Sequence, residues 1–338
     1  MPELHVHILD ELERPDEFLS LLDASVRVTT GAERPEASSC EILVAGVPPR
    51  HLVEGNRELR SVVIPWSGVP KRTRALMREF PRVSVHNLHH NALQVAEVAV
   101  ALLLAAAKRI VPMDASLRRD DWSPRYEESP VVLLDGKNVL VLGHGAVGRH
   151  VARLCRGLGM EVTAVRRCSS GDASGRGEPP AGAVSARGGR VCTAAELPSL
   201  LPEADVLVVC LPLTDETRGL IGESELALMS ENAILVNVGR GPIVDESALF
   251  HALRDGTLHA AGLDVWYNYP TDEPGRSATS PSEYPFHELD NVVMSPHRAG
   301  APHTPETESL RMRALAQLLN AAARREPIPN RVDLNLGY

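Results

Sequence analysis

Val139–Val141, then Leu142 and the run GHGAVG at 143–148, set an apolar strand directly against a glycine turn. Glycines at this spacing have separate jobs: one makes the turn, one lets backbone amides approach a phosphate, and one lets helix and strand pack closely. A helical stretch, Ala146–Leu158, follows, and then a second strand, Glu161–Val165. Strand, turn and helix in that order seat a dinucleotide pyrophosphate, which makes Gly143, Gly145, Ala146, Val147 and Gly148 the expected cofactor-binding residues. At the end of the second strand an NAD site carries an acidic residue for the ribose 2′-hydroxyl. Arg166 and Arg167 stand there instead. Two guanidiniums suit a 2′-phosphate, so NADP(H) is the expected cofactor, with NAD the alternative; the plain reading leaves both arginines facing water.

A chain of 338 residues with 43% hydrophobic content has material for two compact domains. Its formal charge of −9 argues against a general nucleic-acid-binding surface and leaves room for a local basic pocket. Cys40, Cys155, Cys168, Cys192 and Cys210 are scattered and odd in number, as expected of reduced thiols in a cytoplasmic protein. The acidic start MPELHVHILDELERPDEF carries no basic-then-apolar secretory pattern. Val95–Ala107, the longest apolar run, is interrupted by Glu97 and is too short to span a membrane.

Strand-like runs LHVHIL, SVRVTT, EILVAGV and RSVVIPW precede a long alanine-rich helix expected over Ala92 to about Ile110. Beyond the nucleotide unit come strands at ADVLVVCLP, AILVNVG, HAAGLDVW and NVVMSPH, a helix at Asp245–Arg254 and a final helix from Pro305 to about Arg325. The stretch 168–190, with six glycines, two prolines and almost no large apolar side chain, reads as a mobile solvated insertion; the alternative is a cover folding over bound NADP through Arg176, Arg187 and Arg190.

Two side chains with complementary chemistry follow strand ends: Arg240 in NVGRGPIVDESAL and His297 in SPHRAG. The carboxyl ends of parallel strands are where ligands sit in such sheets. An arginine there holds a carboxylate bidentately and polarises a neighbouring carbonyl; a histidine gives or takes the proton as hydride moves.

GHGAVG, LPLTDETRGLI, NVGRGPIVDESAL, GLDVW and SPHRAG, in that order and with VAEVAVALLLAAAKR upstream, resemble the D-isomer-specific 2-hydroxyacid dehydrogenase family. The resemblance implies an α/β fold: a Rossmann-type doubly wound parallel sheet over 106–299, and a smaller flavodoxin-like α/β substrate domain formed by both chain ends, 1–105 and 300–338. It implies that Asp264 meets the nicotinamide carboxamide, that Pro212 and Val238 line the nicotinamide end, and that the amides of Ser67, Gly68 and Val69 hold the substrate carboxylate. It also implies a homodimer built on the alanine-rich helix region. The expected activity is NADP(H)-dependent interconversion of a small 2-oxo acid and its D-2-hydroxy acid, chiefly reduction.

One departure bears on that activity. Family members carry a glutamate five residues beyond the aspartate, raising the pKa of the catalytic histidine; counted from Asp264, this chain has Tyr269. A neutral phenol orients imidazole without favouring imidazolium, so reduction is expected to be slow or to favour acidic pH. Glu273 in the glutamate's place, or a proton relay through Tyr269, are the two rescues; an NADP-binding pseudoenzyme or regulator, and a dehydrogenase of another small acid, are the rival functions. In HNLHHNA, His86, His89 and His90 have metal-compatible spacing with Glu97 downstream, but no further cluster completes a site, so no metal is expected and His90 is assigned to the substrate pocket.

Overall fold

The apolar runs at the start of the chain become five parallel strands: β1 (Leu4–Ile8), β2 (Val26–Thr30), β3 (Ile42–Val44), β4 (Ser61–Ile64) and β5 (Ser84–Asn87), in the order β2-β1-β3-β4-β5. This computed structural model describes residues 3–10, 12–32, 39–166, 190–300 and 304–338, so Arg167 and the insertion residues 168–189 lie outside it. Helices α1 (Pro15–Ser20), α2 (Arg50–Glu54) and α3 (Lys71–Arg78) connect the strands. Both faces of the sheet are covered, which is why the strands are apolar throughout rather than alternating. Val6, Ile42, Val44 and Val63 serve one core, and Leu43, Val62, Ile64 and Val85 the other. The strand order is that of flavodoxin-like sheets.

Strand β5 was not among the expected strands. Its sequence, SVHN, offers a single aliphatic residue, yet Val85, His86 and Asn87 are buried because the C-terminal segment lies along them. Val332 N–H donates to Val85 O (2.8 Å), and His86 Nδ1 pairs with Pro329 O (2.8 Å).

The second unit spans Ala92–Gly300, the first being Met1–Asn91 with Ala301–Tyr338. It opens with α4 (Ala92–Ala107) and α5 (Ile110–Leu117). The boundary expected at 105 therefore moves ahead of α4, because the buried face of that helix, Ala96, Ala99, Leu102, Leu103 and Ala106, belongs to the core of the second unit. The single helix expected to about Ile110 is broken: Arg109 adopts a left-handed backbone (φ 55°). Pro112 explains the break, since it has no N–H and its ring would meet the carbonyl of residue 108 in a continuous helix.

Seven parallel strands follow: β6 (Asn138–Leu142), β7 (Glu161–Arg166), β8 (Arg190–Thr193), β9 (Val206–Val209), β10 (Ile234–Asn237), β11 (Ala260–Leu263) and β12 (Val292–Met294). Their order is β12-β11-β10-β9-β6-β7-β8, so the winding reverses between β6 and β9. Helix α6 (Ala146–Gly157) joins β6 to β7; α7 (Leu197–Leu200), α8 (Glu223–Leu228) and α9 (Glu246–Arg254) lie farther along. Asp245 caps α9, accepting from Ala248 N–H (2.8 Å). Beyond the second unit comes α10 (Pro305–Ala323), which packs Met312, Leu315 and Leu319 into the core of the first unit.

Helix α4 crosses β11 at Gly262. A Cβ there would stand 2.8 Å from Leu102 Cβ and 3.2 Å from that residue's backbone, neither of which has freedom to move. Gly262→Ala is therefore expected to cost about 1–3 kcal/mol of stability. Urea unfolding followed by circular dichroism reads this as a lowered midpoint at unchanged slope, and a wild-type midpoint would refute the close approach.

Candidate active site

The reversal of winding between β6 and β9 leaves an opening at their carboxyl ends, where ligands sit in doubly wound sheets. The glycine turn is there. Gly143 has φ +100°, a conformation side chains avoid, and a Cβ on it would stand 3.0 Å from Cys210 O beyond β9. A Cβ on Gly148 would run into Gly143 O, so the turn and α6 come together only with glycine at both positions. Gly145 is extended at the N-cap, with no side-chain cap on α6 and nothing within 4 Å of where its Cβ would be. The first-turn amides of α6, from Ala146 and Val147 onward, thus start a helix that backbone and space leave open to an anion. A dinucleotide pyrophosphate fits this cradle on its glycines alone.

Arg166 ends β7, partly buried and in register with Thr193 of β8. Pro212 lies in the turn after β9, where Thr217 Oγ1 donates to its carbonyl (2.7 Å). Val238, buried just past β10, donates its N–H to Val209 O (3.1 Å). The residues expected around a cofactor, Arg167 apart, therefore follow the same edge of this sheet.

Arg240 and His297 stand at that edge as well. Asn237, 1% exposed, shapes the turn leading to Arg240: its side chain accepts from Gly239 N–H (3.0 Å) and donates to Arg240 O (3.1 Å). The exposed Arg240 guanidinium donates to Gly239 O (2.6 Å). His297 adopts a left-handed backbone (φ 56°), a strained state for a residue with a side chain. It is held there by Asp264. That carboxylate, 1% exposed at the end of β11, accepts from Ser295 Oγ, from Arg298 N–H (2.9 Å) and from Ala299 N–H (3.0 Å), bracketing His297 on both sides. Nothing in the sequence singled out this clasp, because its partners lie more than thirty positions away.

Tyr269 is the aromatic neighbour of His297, with ring centroids 5.4 Å apart and planes at 57°. Its hydroxyl accepts from Trp266 N–H (3.1 Å), while Trp266 Nε1 donates to Ser295 O (2.8 Å). The ring of Tyr269 rather than its hydroxyl therefore meets the imidazole. Glu273 is not that neighbour: it is largely exposed and its ion-pair partner is Arg276 (3.5 Å). Desolvation pushes the His297 pKa below its ordinary value, the Arg240 guanidinium pushes it further, and the Asp264 carboxylate opposes both. Burial raises the Tyr269 pKa, so the phenol stays protonated.

In the first unit, Ser67, Gly68 and Val69 follow β4 and lead into α3, which has no side-chain cap. Asn87 Nδ2 holds the Ser67 carbonyl (2.6 Å). Among the described residues no group accepts from the N–H of Ser67, Gly68 or Val69, which leaves successive amide donors ahead of a helix N-terminus. Such a turn attracts an anion. His90, beyond β5, is partly buried, and its Nδ1 has no partner among the described residues. Burial, then the nearby Arg311, lower its pKa to about 4, so it is a neutral hydrogen-bonding group near neutral pH. His86 is occupied by Pro329 O and Ser84 Oγ, and no cluster of metal-binding side chains occurs among the described residues.

Residues 100–299 match the family model for the NAD binding domain of D-isomer specific 2-hydroxyacid dehydrogenases. Glyoxylate reductase of Aeropyrum pernix is 39% identical over 243 residues, covering 70% of this chain and 65% of that protein. Glyoxylate/hydroxypyruvate reductase B of Yersinia enterocolitica is 36% identical over 211 residues, covering 62% of this chain and 58% of its own. The match thus spans less than two thirds of the length of either relative. The crystal structure of a D-isomer specific 2-hydroxyacid dehydrogenase from Xanthobacter autotrophicus Py2, in complex with NADPH and MES, has a TM-score of 0.76 at 24% identity over 99% of this chain and all of that one, which establishes the shared fold. The glycine cradle, the strand order and the family match agree: this chain belongs to the D-isomer specific 2-hydroxyacid dehydrogenase family.

Proposed function

We propose that the protein is an NADP(H)-dependent oxidoreductase that interconverts a small 2-oxo acid and its D-2-hydroxy acid. The observation that carries the reading is His297, clasped by Asp264 in a strained backbone on the sheet edge that also holds Arg240 and the glycine cradle. Relatives named as glyoxylate and hydroxypyruvate reductases support the substrate class. The nicotinamide, when bound, supplies or accepts the hydride. The protein's own part is electrostatic and protonic. Arg240 holds the carboxylate and polarises the 2-oxo group, and the free amides of Ser67–Val69 in the first unit are read as donors to an anionic substrate. His297 gives its proton to the oxygen that becomes the hydroxyl, or removes it in oxidation. Arg240→Ala and His297→Ala should each lower turnover by 10²-fold or more on the general acid–base scale, as read by NADPH oxidation with a panel of 2-oxo acids; wild-type activity in either variant would remove that residue from its role.

The preference for NADP(H) rests on Arg166 at the end of β7, where no carboxylate stands for a ribose 2′-hydroxyl, and on Arg167, which lies outside the described residues. The structures of two fold relatives with NADPH and NADP bound agree with that preference. Replacing Arg166 with Ala is expected to lower kcat/KM for NADPH about 10-fold, on the scale of a charge-assisted hydrogen bond, and to leave NADH nearly unchanged. Equal losses with both cofactors would count against the 2′-phosphate contact.

Reduction needs protonated His297, and the histidine's pKa lies below its ordinary value. kcat/KM for reduction should therefore fall as pH rises through a pKa below about 6.5, while oxidation of the hydroxy acid rises over the same range. Tyr269→Glu places a carboxylate beside the imidazole and should move both limbs upward by about 1–3 pH units. An unmoved profile would show that Tyr269 does not govern the proton. A pseudoenzyme with this cradle would instead bind NADPH and turn over nothing.

Assembly as a homodimer is part of the same proposal. Helix α5 buries none of its side chains, and Ile110, Val111, Leu117, Trp122 and Tyr126 are exposed along α5 and the segment after it. Large apolar side chains left exposed along one helix and the segment after it suit an interface. Cys155, Cys192 and Cys210 are free thiols, which suits a reducing, cytoplasmic setting, and no described helix is long and apolar enough to cross a membrane. Light scattering is expected to give twice the chain mass, and Val111→Asp to shift it toward the monomer; a wild-type monomer would overturn the assignment.

A further inference from the structure

Trp66 belongs to neither core of the first unit. It follows β4, is 42% exposed, and its indole lies where a Cβ of residue 46 would be, so Gly46 is the seat on which the ring is laid. The neighbouring Val47 is 53% exposed. A ring so large normally buries more of itself, and one left half open on a prepared seat offers a flat apolar surface at low entropic cost. The seat is rigid. Thr73 Oγ1 donates to Gly46 O (2.6 Å), Ala45 N–H to Val63 O (3.0 Å), and Leu88 N–H to Trp66 O (3.2 Å). The next three residues along the chain are Ser67, Gly68 and Val69, whose amide N–H groups are free among the described residues.

We infer that Trp66, seated on Gly46, is a specificity-determining platform that selects 2-oxo acids with an apolar, planar or branched side chain over glyoxylate, which has none. This rests on the function proposed above. A 2-oxo acid has its carboxylate at C1, its carbonyl at C2 and its variable group at C3. Trp66 directly precedes the amides of 67–69, so with the carboxylate on those amides the indole is the side chain assigned to the C3 group. The platform itself is uncharged: residue 66 is an aromatic and Ser67 is neutral, and the first cations, Lys71 and Arg72, stand at the start of α3 beyond Pro70. An aliphatic or aromatic side chain gains burial and stacking on the indole, which offers a charged one no partner.

The decisive experiment compares NADPH-dependent reduction of phenylpyruvate, 4-methyl-2-oxopentanoate and glyoxylate by wild type, Trp66→Phe and Trp66→Ala. In wild type, kcat/KM is expected to be at least 10-fold higher for the two apolar acids than for glyoxylate. Trp66→Ala should erase that preference, with glyoxylate within about threefold of its wild-type value, and Trp66→Phe should keep most of it. A wild-type preference for glyoxylate, or an equal loss for all three acids in Trp66→Ala, overturns the platform while leaving the proposed function standing. A second readout needs no turnover: fluorescence titration of the NADPH-loaded protein with 3-phenylpropionate and with acetate. Saturable quenching by 3-phenylpropionate that is absent in Trp66→Phe and not produced by acetate supports the platform even if no 2-oxo acid is reduced, an outcome that would refute only the function. Quenching unchanged in Trp66→Phe, or none in wild type, overturns the platform.

Discussion

The Asp264 carboxylate is the constraint on which the site depends. A carboxylate at 1% exposure is costly unless each oxygen is met by donors, and here Ser295 Oγ, Arg298 N–H and Ala299 N–H meet it. Removing water from these groups also strengthens each bond, so the loop after β12 is tied firmly to the end of β11. The strain of a left-handed His297, of order 1–3 kcal/mol, is offset by that tie. Asp264 N–H donates to Asn237 O (3.0 Å), and the Asn237 side chain shapes the turn carrying Arg240. One buried polar network therefore sets the positions of both chemical groups.

That network works because the strands beneath it cannot slide. Leu140, Leu142, Leu207 and Leu235 fill one face of the second sheet while Val139, Val141, Val206 and Val236 fill the other, so a one-residue slip would exchange two packed faces. Glycine then sets how closely the layers approach. Gly148 lets α6 reach the turn at Gly143, and Gly262 lets α4 reach β11. The amide-lined openings thus follow from backbone spacing, whereas the chemistry comes from a few side chains at strand ends.

How far the sequence discloses this depends on the kind of interaction. Strands β6, β9 and β10 are legible because burial on both faces demands unbroken apolar runs, and the glycine turn because its spacing has a steric cause. Strand β5 is not legible: His86 and Asn87 are buried by hydrogen bonds to residues 329 and 330, and no local pattern announces a partner so far along the chain. The same holds for the seating of Trp66 on Gly46, two residues that read separately as the ends of two strands. The break between α4 and α5 was written in Pro112, but the alanine-rich run around it masks the signal. Arg240, His297 and Tyr269 could be chosen from the sequence; that the phenol meets the imidazole by its ring, with its hydroxyl engaged by Trp266, required the fold.

The contact between Tyr269 and His297 has an energetic consequence. One pKa unit corresponds to about 1.4 kcal/mol of preference between protonation states, and an adjacent carboxylate supplies roughly one to three such units. Tyr269 supplies packing without that charge. Asp264, the carboxylate that does act on His297, already spends its oxygens on Ser295, Arg298 and Ala299, while Arg240 repels the imidazolium. The imidazole therefore rests as a base. A resting base is ready to take a proton from a hydroxyl, and must first acquire one before it can protonate a carbonyl oxygen. Under the proposed function, a substrate carboxylate paired with Arg240 would alter this balance by neutralising the guanidinium that depresses His297. The substrate's own charge would then take over part of the work that a neighbouring glutamate does, coupling protonation of the acid to occupation of the anion site.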